Sequence, residues 1–183
     1  SSSNLRYLTN VNGTLFFSAE DGVHGLELWR SDGTANGTVL LKDIRPGSSW
    51  AYPHELTNAN GTLFVNADNG VNGPELWKSD GTANGTVLVK DIRAGTIDAS
   101  PRYLTNVNGT LFFSANDDVS GPELWKSDGT ANGTMLVKDI RMGSSSSNLR
   151  YLTNVNGTLF FMANDGVKGS ELWKSDGTVS GTV

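Results

Sequence analysis

The sequence contains no cysteine, only two histidines and only five prolines. Without cysteine there are no disulfides and no thiolate metal ligands, so we expect packing alone to hold the fold. No apolar run approaches the roughly 18 residues that a membrane-spanning helix requires. The formal net charge of -5 offers no basic field for phosphates, which argues against nucleic acid as a partner. Ser1 is not followed by a charged and then apolar stretch, so we expect any export signal to lie outside this sequence.

An internal repeat dominates the sequence. Its clearest markers are four tryptophans spaced 48 residues apart, each within ELWRSDGT or ELWKSDGT: Trp29, Trp77, Trp125 and Trp173. Residues 2–17 recur unchanged at 146–161, which is three repeat lengths later. A constant period of this size indicates a repeat architecture. We therefore predict one repeat domain over 1–183, divided into units 1–47, 48–95, 96–143 and an incomplete 144–183.

Each unit has the pattern of four short strands separated by turn residues, with no helical periodicity. In the first unit the predicted strands are 6–11, 14–19, 26–31 and 38–44. Asn12-Gly13 joins the first pair, and Asn-Gly accepts the positive φ angles of a two-residue hairpin turn. The DGTANG segment joins the last pair in the same way. The prediction is an all-β chain of four-stranded antiparallel meanders.

The faces of these meanders suggest how they pack. Leu15 and Phe17 alternate with Phe16, so apolar side chains lie on both faces of the second strand. Such a sheet must be covered on both sides, and four strands per repeat of this length are typical of a β-propeller blade. We therefore predict a β-propeller with about four blades in this chain and with the repeated tryptophans between blades. These four blades either close a small ring or form an arc of a larger one.

The fourth unit stops before its outer strand, at Val183. An unpaired sheet edge invites another strand. We therefore expect either that the natural chain continues or that a neighbouring molecule completes the blade, which would give a homo-oligomer.

The repeated ELW, SDGT, NGT and KDI segments resemble a bacterial repeat family known for its ELWxxDGT signature, and the resemblance covers the whole chain. It implies an extracellular or cell-surface setting in bacteria and no established enzymatic activity. It implies no ligand and no catalytic residue. Val179-Ser180 replaces Ala-Asn in the fourth unit, which departs from the pattern at one turn.

Acidic residues recur at two places in each unit. Hard cations prefer clustered carboxylate and carbonyl oxygens, so calcium is the cation to consider. The first set, in the SDGT segments, more simply supports its own turns: Asp32, Asp80, Asp128 and Asp176. The second set is a slightly better calcium candidate, although solvated acidic loops also explain it: Asp21, Asp68, Asp117 and Asp165, with Glu20, Asp118, Glu27, Glu75, Glu123 and Glu171 nearby. No other cofactor is predicted.

The NGT triplets match the N-glycosylation sequon, but hairpin turns explain every copy. They begin at Asn12, Asn36, Asn60, Asn84, Asn108, Asn132 and Asn156.

Repetition also argues against an enzyme, because catalysis requires unlike groups that converge at one place. The two histidines, His24 and His54, have no recognisable Ser or Cys partner motif. We therefore predict no catalytic residues.

The units differ in the segment before the first strand and in the loop between the second and third strands. In an up-and-down blade these two segments emerge on one side, and loops on a rigid scaffold commonly bind ligands. Aromatic rings there could stack on a sugar or anchor a protein, or Trp50 could simply cover the adjoining blade. The candidate ligand-binding residues are Trp50, Tyr52, His54, Tyr7, Arg6, Tyr103, Arg102, Tyr151 and Arg150.

These observations predict a non-enzymatic, extracellular interaction or adhesion module that is lectin-like and binds a glycan or a protein partner. The alternative is a purely structural surface or filament protein completed by strand exchange between chains.

Overall fold

A computed structural model describes residues 3–183 of the chain. Ser1 and Ser2, which begin the first predicted unit and its variable segment, lie outside the described residues. Residues 3–183 contain fifteen strands and no helix, which confirms the all-β prediction. In this part of the chain, no helix is long and apolar enough to cross a membrane.

The strands form four antiparallel sheets, one for each repeat, and neighbours in sequence are neighbours in each sheet. The first two sheets contain β1 Arg6–Val11, β2 Thr14–Glu20, β3 Leu26–Ser31 and β4 Val39–Lys42, then β5 His54–Ala59, β6 Thr62–Asp68, β7 Pro74–Ser79 and β8 Val87–Lys90. The last two contain β9 Arg102–Val107, β10 Thr110–Asn116, β11 Pro122–Ser127 and β12 Met135–Lys138, then β13 Arg150–Val155, β14 Thr158–Asn164 and β15 Ser170–Ser175.

The chain divides into two compact units, residues 1–98 and 99–183. The first unit holds the sheets β1–β4 and β5–β8. The second holds the four-stranded sheet β9–β12 and the three-stranded sheet β13–β15. In the last sheet, Val183 extends the pairing beyond β15, because its backbone N–H and C=O both bond to Lys174 at 3.0 and 2.9 Å.

The hairpin between β1 and β2 shows why Asn-Gly is needed there. Asn12 has φ 52° and Gly13 has φ 84°, so both central residues of the turn are left-handed. This is the type I′ geometry that fits the twist of a two-residue hairpin. The same pair of angles recurs in the other three repeats, and the predicted turn is therefore confirmed.

Within each unit the two sheets share one apolar core. In the first unit, Phe16 and Leu28 of one sheet pack with Leu63, Val65 and Trp77 of the other. In the second unit the equivalent cluster joins Phe112, Leu124, Leu159 and Phe161, with Trp173 packed against it. Apolar residues on both faces of the second strand of each repeat make this stacking possible.

Tryptophan packs between sheets within each unit, as predicted. Trp77 is only 6% exposed. In the second unit, the ring of Trp173 lies 6.5 Å from that of Phe161, and Lys138 of the preceding sheet places its Nζ 5.6 Å from the Trp173 ring centroid. The conserved aliphatic stem of such a lysine can cover the indole while its charge stays near water.

Side chains also bond to the backbone of the next sheet in the same unit. Thr9 Oγ1 donates to Leu56 O at 3.1 Å, and Lys42 Nζ donates to Thr86 O at 2.8 Å. In the second unit, Thr105 Oγ1 donates to Leu152 O at 3.2 Å, and Lys138 Nζ donates to Thr182 O. Equivalent residues therefore make equivalent bonds, so the stacking follows the repeat.

A buried glutamate holds the connection that follows the fourth strand. Glu27 is fully buried and accepts the backbone N–H of Ile44 at 2.8 Å, that of Arg45 at 3.3 Å and that of Ala51 at 3.3 Å. The side chain of Ala51 is itself fully buried between strands, since its N–H also reaches Leu26 O and its C=O accepts from Asp68 N. Glu27 thus satisfies backbone donors that no strand pairs.

The same arrangement recurs in the next two repeats. Glu75 accepts the N–H groups of Ile92 at 3.1 Å and Arg93 at 3.0 Å, and Glu123 accepts that of Ser147 at 3.0 Å. Glu171, the equivalent residue of the fourth repeat, is exposed. The interpretation of Glu27, Glu75 and Glu123 as part of a solvated acidic loop is therefore wrong, because each lies in the core and binds backbone.

The buried glutamates also explain why the fourth strand is shorter than predicted. Residues 38–44 were expected to be extended, but β4 covers only Val39–Lys42. The Ile44 N–H bonds to the Glu27 carboxylate and not to β3. A side chain has therefore replaced the sheet ladder at this point.

Burial raises the pKa of all three glutamates, because a charge in a low-dielectric interior is poorly solvated. The pKa of Glu27 and that of Glu123 rise to about 7, and the pKa of Glu75 rises to about 8. The backbone N–H bonds oppose this rise, while Asp43 and Asp91 add to it at Glu27 and Glu75. The native state therefore holds protons that the unfolded chain releases.

Replacing Trp77 with alanine should lower the free energy of unfolding by about 3–5 kcal/mol, because it leaves a cavity in the shared core of the first unit. Urea denaturation measures this loss. Trp29→Ala is the matched control and should cost less, because Trp29 occupies the same repeat position but is partly exposed. Equal losses in the two variants would contradict the proposed packing role.

Glu75→Gln should destabilise the chain by about 1–3 kcal/mol, because the amide nitrogen cannot accept a backbone N–H and leaves a buried donor unpaired. Glu171→Gln makes the same change at an exposed site and should alter stability by less than about 0.5 kcal/mol. Thermal and urea denaturation compare the two variants. If both variants behave alike, the glutamate bonds contribute nothing specific.

Stability should also decrease as the pH rises. The contribution of each glutamate is complete below its ordinary pKa of about 4.5 and is lost as the pH rises through about 7 to 8. Between pH 5 and pH 8 we expect the free energy of unfolding to fall by roughly 1–3 kcal/mol per buried carboxylate. Glu75→Gln should make this fall shallower and Glu171→Gln should not. A free energy of unfolding that rises with pH in this window would overturn the assignment.

Candidate functional site

The first strand of every repeat carries a β-bulge. Between Arg6 and Thr9 the strand advances three residues while its partner advances only from Ser18 to Phe16. The same shift occurs in β5, β9 and β13. A bulge inserts one extra residue and re-aims the side chains around it. It therefore determines how the candidate residues at the start of these strands are presented.

The bulge places an L-residue in the left-handed region of backbone space. Tyr7 has φ 55°, Tyr103 has φ 59°, Tyr151 has φ 57°, and Glu55 has φ 58° at the equivalent place in the second repeat. This conformation is unfavourable for aromatic residues, and strain of this kind tends to occur at functional sites. Nothing in the sequence signals the bulge, because neither glycine nor asparagine occupies the strained position.

In the first unit the candidate aromatic residues form a chain of contacts. The Trp50 and Tyr52 rings meet edge to face at 5.1 Å, and His54 Nδ1 lies 2.8 Å from Tyr52 O. The His54 ring is 6.2 Å from that of Tyr7. Arg6 is turned toward Asn4, whose Oδ1 accepts from its Nε and Nη2 at 3.2 and 3.0 Å. The structure therefore brings four of these five candidates together.

Trp50 also has a packing role. A Cβ placed on Gly25 would lie 2.6 Å from Trp50 Cδ1 and 2.3 Å from Ser49 O, so only glycine allows this approach. Trp50 is 36% exposed. It therefore covers the loop before β3 and leaves about a third of its surface to solvent.

In the second unit, the candidates line two adjoining cavities between β9 and β13. A cavity of about 250 Å³ is lined by Arg102, Tyr103 and Arg150, together with neutral residues such as Asn148. A second, of about 380 Å³, is lined by Tyr103, Arg150 and Tyr151 with apolar neighbours. Tyr103 and Arg150 border both. The structure thus joins these four predicted residues in one groove.

The acidic residues that were considered for calcium are bonded within their own loops. Asp21 accepts from the N–H groups of Val23 and His24 at 2.8 and 2.9 Å, and its Oδ2 lies 2.7 Å from His24 Nδ1. These bonds lower the pKa of Asp21 to about 2, and the side-chain bond raises the pKa of His24.

Equivalent loops use equivalent bonds. Asp117 accepts from Val119 and Ser120 at 3.0 and 2.7 Å, and Asp165 accepts from Val167 and Lys168 at 2.8 and 2.9 Å. Asp68 accepts the Gly70 N–H at 2.7 Å and forms an ion pair with Arg45. Within residues 3–183, no three His, Asp or Glu side chains gather in a way that could hold a metal ion.

The SDGT aspartates support their turns. Asp32 Oδ1 accepts from the N–H of Thr34 at 2.9 Å and from its hydroxyl at 2.7 Å. The backbone bond and then the hydroxyl bond lower the pKa of Asp32. Asp80, Asp128 and Asp176 bond to their own threonines in the same way. The turn interpretation of these residues is confirmed.

Two solved structures of puromycin hydrolase have a similar fold. One, a mutant complexed with PGG, matches 97% of this chain and 28% of that chain, with a TM-score of 0.62 and 16% sequence identity. The other matches 96% of this chain and 28% of that chain, with a TM-score of 0.59 and 16% identity. The present chain therefore spans little more than a quarter of the hydrolase. No family model and no curated protein matches this chain.

These likenesses correct the functional prediction. The fold that accounts for nearly the whole chain occurs in an enzyme, a propeller-containing peptidase, and not in an adhesin. The prediction of a non-enzymatic adhesion or carbohydrate-binding module, with its structural-filament alternative, is therefore wrong. Aromatic residues on variable loops suit many ligand-facing roles, so Trp50 and Tyr52 could not discriminate among them. The resemblance to the ELWxxDGT family stays a prediction.

Proposed function

We propose that this chain is a segment of a β-propeller that serves as the substrate-admitting domain of a larger hydrolase-like protein. The observation that carries the proposal is the shared fold with 28% of puromycin hydrolase over 97% of this chain. A segment of that share leaves most of such a protein for a separate catalytic domain. The finer prediction of about four propeller blades in this chain is part of the proposal.

The chemistry of the chain supports a role without bond cleavage. The buried glutamates bind backbone N–H groups, and the loop aspartates bind their own turns. His24 is paired with Asp21, and His54 faces the Tyr52 carbonyl. Each of these groups already has a structural partner, whereas a catalytic constellation needs groups free to act on a substrate. In this proposal the reaction occurs elsewhere in the protein.

The bulged first strands supply the surface that would contact a substrate. In a propeller the blades surround a central channel, and the first strand of a meander blade is the one nearest that channel. Tyr7, Tyr103 and Tyr151 would then face the path of an entering molecule from fixed positions. Binding there would raise the local substrate concentration and orient it before catalysis.

The setting is proposed from the ELWxxDGT resemblance. That resemblance supports an extracellular or cell-surface location in bacteria, where a chain without cysteine depends on packing alone. The repeated glutamate and tryptophan contacts supply such packing within each unit.

Enzyme kinetics on the native protein that contains this segment test the proposal, with puromycin and aminoacyl anilides as substrates. Replacing both Tyr103 and Tyr151 with alanine should raise KM at least about tenfold and leave kcat nearly unchanged, because access and orientation precede the chemical step. Val119→Ala, at an exposed loop residue, is the control. A native protein without hydrolase activity, or hydrolysis by the 183-residue chain alone, would overturn the proposal.

A further inference from the structure

The groove between β9 and β13 combines two chemically different halves. We define the β9–β13 groove by Arg102, Tyr103, Leu104, Arg150, Tyr151 and Leu152. The half of about 250 Å³ contains both arginines and neutral polar residues, and the half of about 380 Å³ contains both tyrosines and both leucines. Because Tyr103 and Arg150 border both halves, one ligand can occupy the two together.

The arginines of the groove have no opposing charge. Arg102 Nε donates to Ser100 Oγ at 2.8 Å, and neither arginine forms an ion pair with a carboxylate of the described residues. The Arg150 guanidinium makes no hydrogen bond to any part of the chain that the structure describes. Two guanidiniums bordering one cavity without a counter-charge favour an anion that accepts several N–H donors.

The tyrosines of the groove are exposed but held in place. Tyr103 is 39% exposed and Tyr151 is 74% exposed, although both lie within strands. Thr105 Oγ1 donates to Tyr103 O, and Thr153 Oγ1 donates to Tyr151 O, each at 2.9 Å. These bonds brace the left-handed residues of the two bulges. Aromatic rings fixed in this way form a surface for an apolar or aromatic body.

We propose that the β9–β13 groove binds an organic carboxylate with an aromatic or large apolar body. The carboxylate lies between Arg102 and Arg150, where its two oxygens accept guanidinium N–H donors. The body lies against Tyr103 and Tyr151. The two cavities together have the size of pockets that hold small organic ligands.

The first unit supplies a natural comparison. At the equivalent positions of β5, His54 and Glu55 replace Arg150 and Tyr151, and Glu55 keeps the left-handed conformation with φ 58°. That place therefore has one arginine fewer and one carboxylate more, which disfavours an anionic ligand. It also shows that His-Glu is compatible with this bulge.

Isothermal titration calorimetry on the 183-residue chain tests the assignment with N-acetyl-L-phenylalanine as the probe. N-acetyl-L-phenylalaninamide has the same body without the charge and should bind at least about tenfold more weakly, since it loses charge-assisted hydrogen bonds. Arg150→Gln should weaken binding of the acid at least about tenfold and leave binding of the amide nearly unchanged. Lys168→Gln removes one positive charge from an exposed loop of the same unit and should have no effect.

The double variant R150H/Y151E carries the residues of the first unit and should abolish binding while keeping the native melting temperature. It also replaces Arg150→Gln as the test if that variant does not fold. Equal affinity for acid and amide, or full affinity in the double variant, would overturn the proposal. Tighter binding of phenyl phosphate than of the acid would overturn the choice of carboxylate.

The inference rests on the proposed function only for the role of the bound molecule. Binding is measured on the repeats alone, without any catalytic domain, whereas the proposed function is tested by hydrolysis in the native protein. A groove that binds no carboxylate is therefore distinguishable from a protein that has no hydrolase activity.

Discussion

The buried carboxylate of Glu27, with those of Glu75 and Glu123, is the constraint on which the connections between sheets depend. Each connection leaves its sheet after a four-residue strand and carries N–H groups that no neighbouring strand can accept. An unpaired buried donor is costly, so a side-chain acceptor is required wherever the backbone crosses the interior. Glu27 meets this need for Ile44, Arg45 and Ala51 together. It thereby fixes where the chain enters the next sheet.

Fixed connections have a consequence for the first strands. With Ala51 held between strands, β5 begins at a set position beside β1, and Thr9 and Asn58 bond across the two repeats. The bulge at Tyr7 and at its equivalents is then held from both sides. This support allows residues such as Tyr103 and Tyr151 to keep a strained backbone and an exposed ring. The ligand-facing surface thus depends on contacts that lie in the core.

Several features could be predicted because they depend on short windows of sequence. Asn12-Gly13 requires a type I′ hairpin, and the alternation of Leu15, Phe16 and Phe17 requires a strand covered on both faces. The predicted strands at 6–11 and 26–31 match β1 and β3. The packing of Trp77 between sheets followed from the same logic. The predicted fold class and the packing within each unit were therefore accessible without a structure.

Other features depend on residues that are distant in sequence. Glu27 looked like a loop acid because its partners lie 17 to 24 residues further along the chain. Function was predicted wrongly because an exposed aromatic residue such as Trp50 does not specify its ligand.

By itself, the sequence determined the period, the turns and the strand pattern, since each is set by neighbours within a few residues. Only the tertiary structure decided that Glu27 is buried, that Tyr103 is strained, and that Arg102 and Arg150 border one groove. The physical reason is that burial and charge convergence depend on stacked sheets, whose contacting residues are about one repeat apart.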